Sequence, residues 1–172
     1  MSVYQKLAEV GTKFFKRHAL FKYGFNGSPM YRRSTGRVKR VSEDLMFVEI
    51  KLPIGYKNRN YMNSIFGGSM FSAVDPIPMV QLVQLLGKDY VIWDRSAEIS
   101  FKRPAREDLY AQFTYSLEEL NEIRAQVQKN KETHIVKTTY LTNKKGDMVY
   151  CEVKKTIYIA NKAFYKEKKK GQ

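Results

Sequence analysis

The feature that most constrains this chain is one long apolar segment, Gly67 to Leu86, lying between stretches whose apolar residues recur at every second position. Met70, Phe71, Ala73, Val74, Ile77, Met79, Val80, Leu82, Val83, Leu85 and Leu86 leave few sides polar. A helix of that kind belongs in the middle of a fold, and Gly87 suits its C-terminal end. Upstream, Met46, Val48, Ile50 and Leu52 alternate with Phe47, Glu49 and Lys51, which describes a strand with one buried face. Ser42-Glu43-Asp44 separates it from Gly36–Val41, so the two predict a hairpin. Pro53 to Asn63 is polar and predicts a loop.

After Gly87 the pattern is mainly that of strands. Ala97, Ile99 and Phe101 alternate with polar neighbours, as do Leu109, Ala111, Phe113, Tyr115 and Leu117. A short helix is predicted over Leu117–Lys129. Thr133–Thr142 and Met148–Ile159 follow, joined by a turn at Asn143 to Asp147. At the front, Val3, Leu7, Val10 and Phe14 predict an amphipathic N-terminal helix, and Gly24 to Ser28 with Pro29 predict a loop. Consecutive strands with short turns imply an antiparallel sheet, here wrapped around the central helix, so the fold class is α+β. The expected organisation is an N-terminal helix and loop (1–30), a main domain (31–161) and a solvated basic tail (162–172).

The net charge of +14 raises the question of a nucleic-acid partner. Residues 1–42 carry ten Lys/Arg against one Glu, and residues 162–172 five Lys against one Glu. The 119 residues between them hold sixteen basic and fifteen acidic residues, so the body is nearly neutral. Charge confined to the ends is not the clustered footprint of a nucleic-acid domain, and none is expected as partner. No unbroken apolar run approaches the roughly 20 residues of a membrane span, and the N-terminus lacks the pattern of a secretory signal. The single cysteine, Cys151, cannot pair internally or build a metal site, and its alternation with Val149 and Val153 reads as burial. A reducing, cytoplasmic setting with no metal and no resident cofactor is the expectation.

The chemistry concentrates between Asn60 and Asp75: a polar loop, Gly67-Gly68 at a helix start, and an acid seven residues beyond the second glycine. A helix N-terminus offers free N–H groups and partial positive charge, and glycine lets another molecule approach it. Such a site suits a carbonyl oxygen that becomes an oxyanion on attack. A carboxylate on an otherwise apolar helix needs a reason. The plainer reading is that the glycines permit close packing and that Asp75 caps backbone. Pro76 and Pro78 predict an irregular helix, with Asp75 biased away from the α region.

Asn60, Phe66-Gly67-Gly68 and Asp75 resemble the loop and central helix of hotdog-fold acyl-CoA thioesterases of the phenylacetate-pathway type, with Phe66 where histidine is usual. Leu86 to Arg95, and Ile99-Ser100-Phe101-Lys102-Arg103-Pro104-Ala105, resemble the strand that follows. The likeness spans roughly residues 36–160, and is greatest to a subgroup with a Phe-Gly-Gly and Asp-Pro version of the motif. It implies a hotdog fold, self-association as a homodimer or homotetramer, and active sites between two subunits. Asp75 would then be nucleophile or general base, and the Gly67 and Gly68 N–H groups would polarise the thioester. Asn60, from the other subunit, would position water or substrate. Asn63, Phe66 and Ser69 would line the substrate site, and Arg103 and Arg106 would meet coenzyme A phosphates, with an acyl-coenzyme A as substrate rather than a cofactor. A non-catalytic binder of acyl ligands is the alternative. Dehydratases of this fold need a catalytic histidine, and His18 and His134 stand away from the motif.

Overall fold

The computed structural model describes residues 16–171. The N-terminal stripe from Val3 to Phe14 lies outside them. The order is α1 (Arg17–Gly27), α2 (Pro29–Arg33), β1 (Arg37–Val41), β2 (Phe47–Leu52), α3 (Gly67–Val74), α4 (Pro76–Leu86), β3 (Tyr90–Phe101), β4 (Leu109–Thr114), α5 (Leu117–Asn130), β5 (Glu132–Thr142), β6 (Val149–Asn161) and α6 (Lys162–Lys170). The six strands form one antiparallel sheet in the order β1-β2-β4-β5-β6-β3. The two strands before the central helix and the four after it are those the alternation predicts.

The sheet is close to two halves. β5 and β6 pair along their whole lengths, as do β6 and β3, but β4 and β5 share one pair, Tyr110 with Thr142. Two apolar sets pack against the central helix, the first also taking in Leu141 of β5 and Cys151 and Val153 of β6. Val48, Ile50, Leu52, Ala111 and Phe113 meet Met70, Ala73, Val74 and Ile77. Ile157, Ile159 and Ile92 meet Leu82 and Leu86, with Leu120, Ile123 and Val127 of α5 closing that side. The Ser116 side chain accepts from the Glu119 N–H and starts α5 where its sequence predicts.

Three expectations are corrected. The predicted loop at Gly24–Ser28 is helical to Gly27, because Phe21 and Phe25 are held in the core beside Tyr31, and the chain breaks only at Ser28 before Pro29. The basic tail is a helix to Lys170, started by the Asn161 carboxamide accepting from the Ala163 and Phe164 N–H groups, and Lys168 pairs with Glu132. Finally, Gly67–Leu86, interrupted by Asp75, is long and apolar enough by length and composition to cross a membrane, and half of its most apolar window is buried against the sheet and helices of the protein, as a central helix requires.

The prolines do not expel Asp75 from the helix. Its backbone is α-helical (φ −49°, ψ −53°) and its N–H still bonds the Phe71 carbonyl at 2.9 Å. Pro76 stands as the first residue of α4, where a missing N–H costs little. Carbonyls around the junction gain donors from outside the helix: Tyr31 Oη donates to Ala73 and Tyr115 Oη to Pro78, each at 3.0 Å. Burial raises both phenols, so they remain protonated donors at any ordinary pH. Replacing Tyr31 with Phe is expected to lower the unfolding free energy by about 1 kcal/mol in urea titration. An unchanged midpoint would show that the junction does not depend on this donor.

Candidate active site

The loop before the central helix is built by its own polar side chains. Asn58, almost fully buried, donates to Thr35 Oγ1 at 2.8 Å and the Pro53 carbonyl at 2.9 Å, and accepts from the Gly55 N–H at 2.8 Å. Its carbonyl takes the Phe66 N–H at 2.7 Å, and the Ala105 carbonyl takes the Ile65 N–H at 2.8 Å. These bonds fix where the helix begins. Asn60 lies one turn of loop away, and its side-chain oxygen accepts from Met62 N–H (3.0 Å), Ser64 N–H (3.1 Å) and Ser64 Oγ (3.2 Å). Asn63 takes a left-handed backbone (φ 60°) and accepts from Arg59 at 2.6 Å. Both asparagines therefore shape this loop, whereas Asn58, which the motif did not single out, pins it.

At the helix start, Ser69 and Met70 donate to the Phe66 carbonyl, while the Gly67 and Gly68 N–H groups have no helical carbonyl four residues back. Two exposed aromatic rings lie against these glycines: Phe66 is 58% and Phe101 56% exposed. A Cβ added at Gly68 would stand 2.3 Å from the Phe66 ring, and one at Gly67 would stand 2.6 Å from the Phe101 ring. A side chain at either glycine would have to push the exposed ring beside it aside. Arg103 and Arg106 flank Ala105 in the exposed β3–β4 loop, which its bond to Ile65 holds beside the helix start. Neither arginine forms an ion pair among the described residues.

Two turns further, on the face that carries Gly68, stands Asp75. Its side chain is 39% exposed, and Oδ1 is held at 2.7 Å by Lys155 Nζ from β6. The same ammonium donates to the Asp75 backbone carbonyl, and at 2.7 Å to Asp94 Oδ2 from β3. Lys155 is 2% exposed and Asp94 29%. All three ammonium protons are thus matched by acceptors, which is what burial of this group demands. Asp75 Oδ2 has no partner among the described residues. Asp94 is placed by an irregularity in β3: it pairs with Ile157, and the register slips before Ser96. Burial, the largest cause, and the nearby Asp75 charge push the Asp94 carboxyl above its ordinary range, against Lys155, which lowers it.

Lys155 and Asp94 are absent from the motif reading, yet the sequence carries a signal for the first. Cys151, Val153, Ile157 and Ile159 occupy the buried face of β6, and Lys155 falls in the same register. A lysine there requires an acidic partner. No comparable signal marks Asp94, whose direction depends on the slip in β3. Cys151 is buried as expected, with burial raising its thiol to about 11. His134 faces Tyr158 on the sheet and does not contact Asp75. Among the described residues no group of three or more His, Cys, Asp or Glu is arranged to hold a metal.

The ring contacts make a prediction. Gly68→Ala has to push the exposed Phe66 ring aside while gaining helix propensity, so its effect on thermal or urea unfolding is expected to stay below about 1 kcal/mol, and to be more favourable in a Phe66→Ala background. Equal effects in both backgrounds would mean that the ring does not define the space at Gly68.

The fold is shared with solved structures. It superposes on a Pseudomonas aeruginosa protein of unknown function described as a probable thioesterase, with a TM-score of 0.72 and 17% identity over 83% of this chain and 95% of that one. A Chlorobaculum tepidum protein of unknown function gives a TM-score of 0.67 at 15% identity, over 84% of this chain and 94% of that one. A thioesterase from Haemophilus influenzae gives 0.61 at 11% identity, over 84% and 90%. The antiparallel sheet folded against one long helix is the hotdog fold common to thioesterase-labelled proteins. No match was found among curated proteins. A sequence model extends the likeness across residues 12–159, and by it the chain belongs to the family described as a domain of unknown function, DUF4442.

Proposed function

We propose that this protein hydrolyses the thioester of an acyl-coenzyme A, with Asp75 as the carboxylate that activates water or attacks the acyl carbon. The observation that carries the reading is Asp75 itself. It is a part-exposed carboxylate with one oxygen clamped by a buried ammonium and the other unpartnered among the described residues, two helical turns from glycine N–H groups that likewise have no partner among the described residues. Those N–H groups at Gly67 and Gly68 supply oxyanion stabilisation, the largest single contribution in acyl transfer. Water attack delivers its proton to Asp75, the tetrahedral intermediate collapses, and the carbon–sulfur bond breaks to release the thiolate.

Gly68 and Asp75 are about 10 Å apart along one helix, at about 1.5 Å per residue. A thioester carbonyl does not span that gap comfortably. Pairing of two copies, so that the glycines of one face Asp75 of the other, removes the difficulty and fits a homodimer or a homotetramer built from it. The edge strand β3 supports this pairing: Trp93 to Glu98 are exposed, and an edge offers unpaired backbone groups to another strand. Asn60, Asn63, Phe66 and Ser69 lie on the loop and helix start that would border the substrate. Phe66 and Phe101 provide apolar surface for an acyl group, and Arg103 and Arg106 provide guanidinium groups for coenzyme A phosphates.

The test is hydrolysis of a panel of acyl-coenzyme A thioesters by wild type and Asp75→Asn. The variant is expected to lose kcat by at least about 100-fold with little change in KM and an unchanged fold by circular dichroism. Tight acyl-coenzyme A binding with no Asp75-dependent turnover would replace the enzyme with a binding protein of the same fold.

A further inference from the structure

We infer that Asp94 and Lys155 are positioning residues for Asp75, and that Asp94 keeps Asp75 reactive by sharing the one ammonium that both carboxylates contact. This rests on the reading of Asp75 as the working carboxylate and goes beyond it. The argument starts from the charge of the cluster. One buried Lys155 ammonium stands 2.7 Å from Asp75 Oδ1 and 2.7 Å from Asp94 Oδ2, so two negative charges meet one positive charge. Were Asp94 absent, Lys155 and Asp75 would form a neutral one-to-one pair, and a carboxylate so neutralised is a weaker base. With Asp94 present, the cluster carries a surplus negative charge. The Asp75 side chain is 39% exposed and one of its oxygens has no partner among the described residues, so that surplus is within reach of a water molecule.

Lys155 has a second task. By donating also to the Asp75 backbone carbonyl, it holds both ends of the same residue, so the carboxylate cannot rotate without losing a buried ammonium partner. Lys155 comes from β6, Asp94 from β3 and Asp75 from the α3–α4 junction. The charged and titratable groups acting on Asp94 are these two, together with the Tyr115 phenol after β4, which donates to Pro78 rather than to either acid. The arrangement differs from a plain structural salt bridge, which would need one acid.

The experiment compares pH profiles of kcat and KM for acyl-coenzyme A hydrolysis in wild type, Asp94→Asn and Lys155→Met, with carbon-13 carboxyl titration of Asp94 as a readout that needs no substrate. Asp94→Asn is expected to fold normally and retain KM. Its kcat should fall about tenfold and its pH profile should differ from that of wild type, because the Asp94 charge has gone. In the Asp75→Asn protein the Asp94 titration midpoint should fall, since the Asp75 charge is one cause holding it up. Active wild type with an Asp94→Asn variant of unchanged kcat and profile would overturn the inference and leave the enzyme reading standing. If wild type turns over no thioester, the enzyme reading falls. The shared charge is then judged by titration alone, and an Asp94 midpoint indifferent to Asp75→Asn overturns it. Should Lys155→Met fail to fold, Asp94→Asn and the titration still decide the matter.

Discussion

A buried ammonium cannot be left alone, and in this protein that constraint ties the sheet to the central helix. Lys155 sits among Val153, Ile157 and the other apolar residues of β6 with almost no access to solvent. Its three acceptors come from the α3–α4 junction and from β3. Removing both acids would strand the ammonium charge in the core, at a cost of several kcal/mol in comparable buried pairs, whereas either acid alone still pairs it. The junction is therefore held from the sheet side by Lys155 and elsewhere by the hydroxyls of Tyr31 and Tyr115. A proline pair that ought to disorder a helix is accommodated because carbonyls around the junction meet donors from other elements.

This explains which parts were legible in the sequence. Alternation in Met46 to Leu52 and the all-round apolar character of Gly67 to Leu86 are local signals, and the strands and helix follow them. The loop-helix motif also follows directly: Gly67 and Gly68 open the helix and Asp75 lies two turns on. The helical conformation of Asp75 was hidden, because Pro76 argues locally against it and the compensating donors come from distant residues. Gly24 to Ser28 misled for the same reason, since the core contacts of Phe21 and Phe25 outweigh the glycines. Asp94 could not be read at all, for its direction depends on a slip in pairing with β6.

Glycine at 67 and 68 takes on two meanings that are compatible. The sequence suggests access for a ligand, and the structure adds two phenylalanine rings lying against the same positions. Phe66 stands where the motif that this stretch resembles has histidine, and the proposed oxyanion site does not depend on that side chain because its donors would be backbone N–H groups. The rings make the surface beside those donors apolar, which suits an acyl chain more than a charged one.

The most direct measurement is a crystal structure of the protein with an inert acyl-coenzyme A analogue in which the thioester is replaced by a ketone. The account predicts the carbonyl oxygen within hydrogen-bond distance of the Gly67 or Gly68 N–H of one copy, and the carbonyl carbon facing Asp75 Oδ2 of the paired copy, with Lys155 still bridging Asp75 and Asp94. A ligand seated elsewhere, or an Asp75 carboxylate directed away from the bound carbonyl, would contradict it.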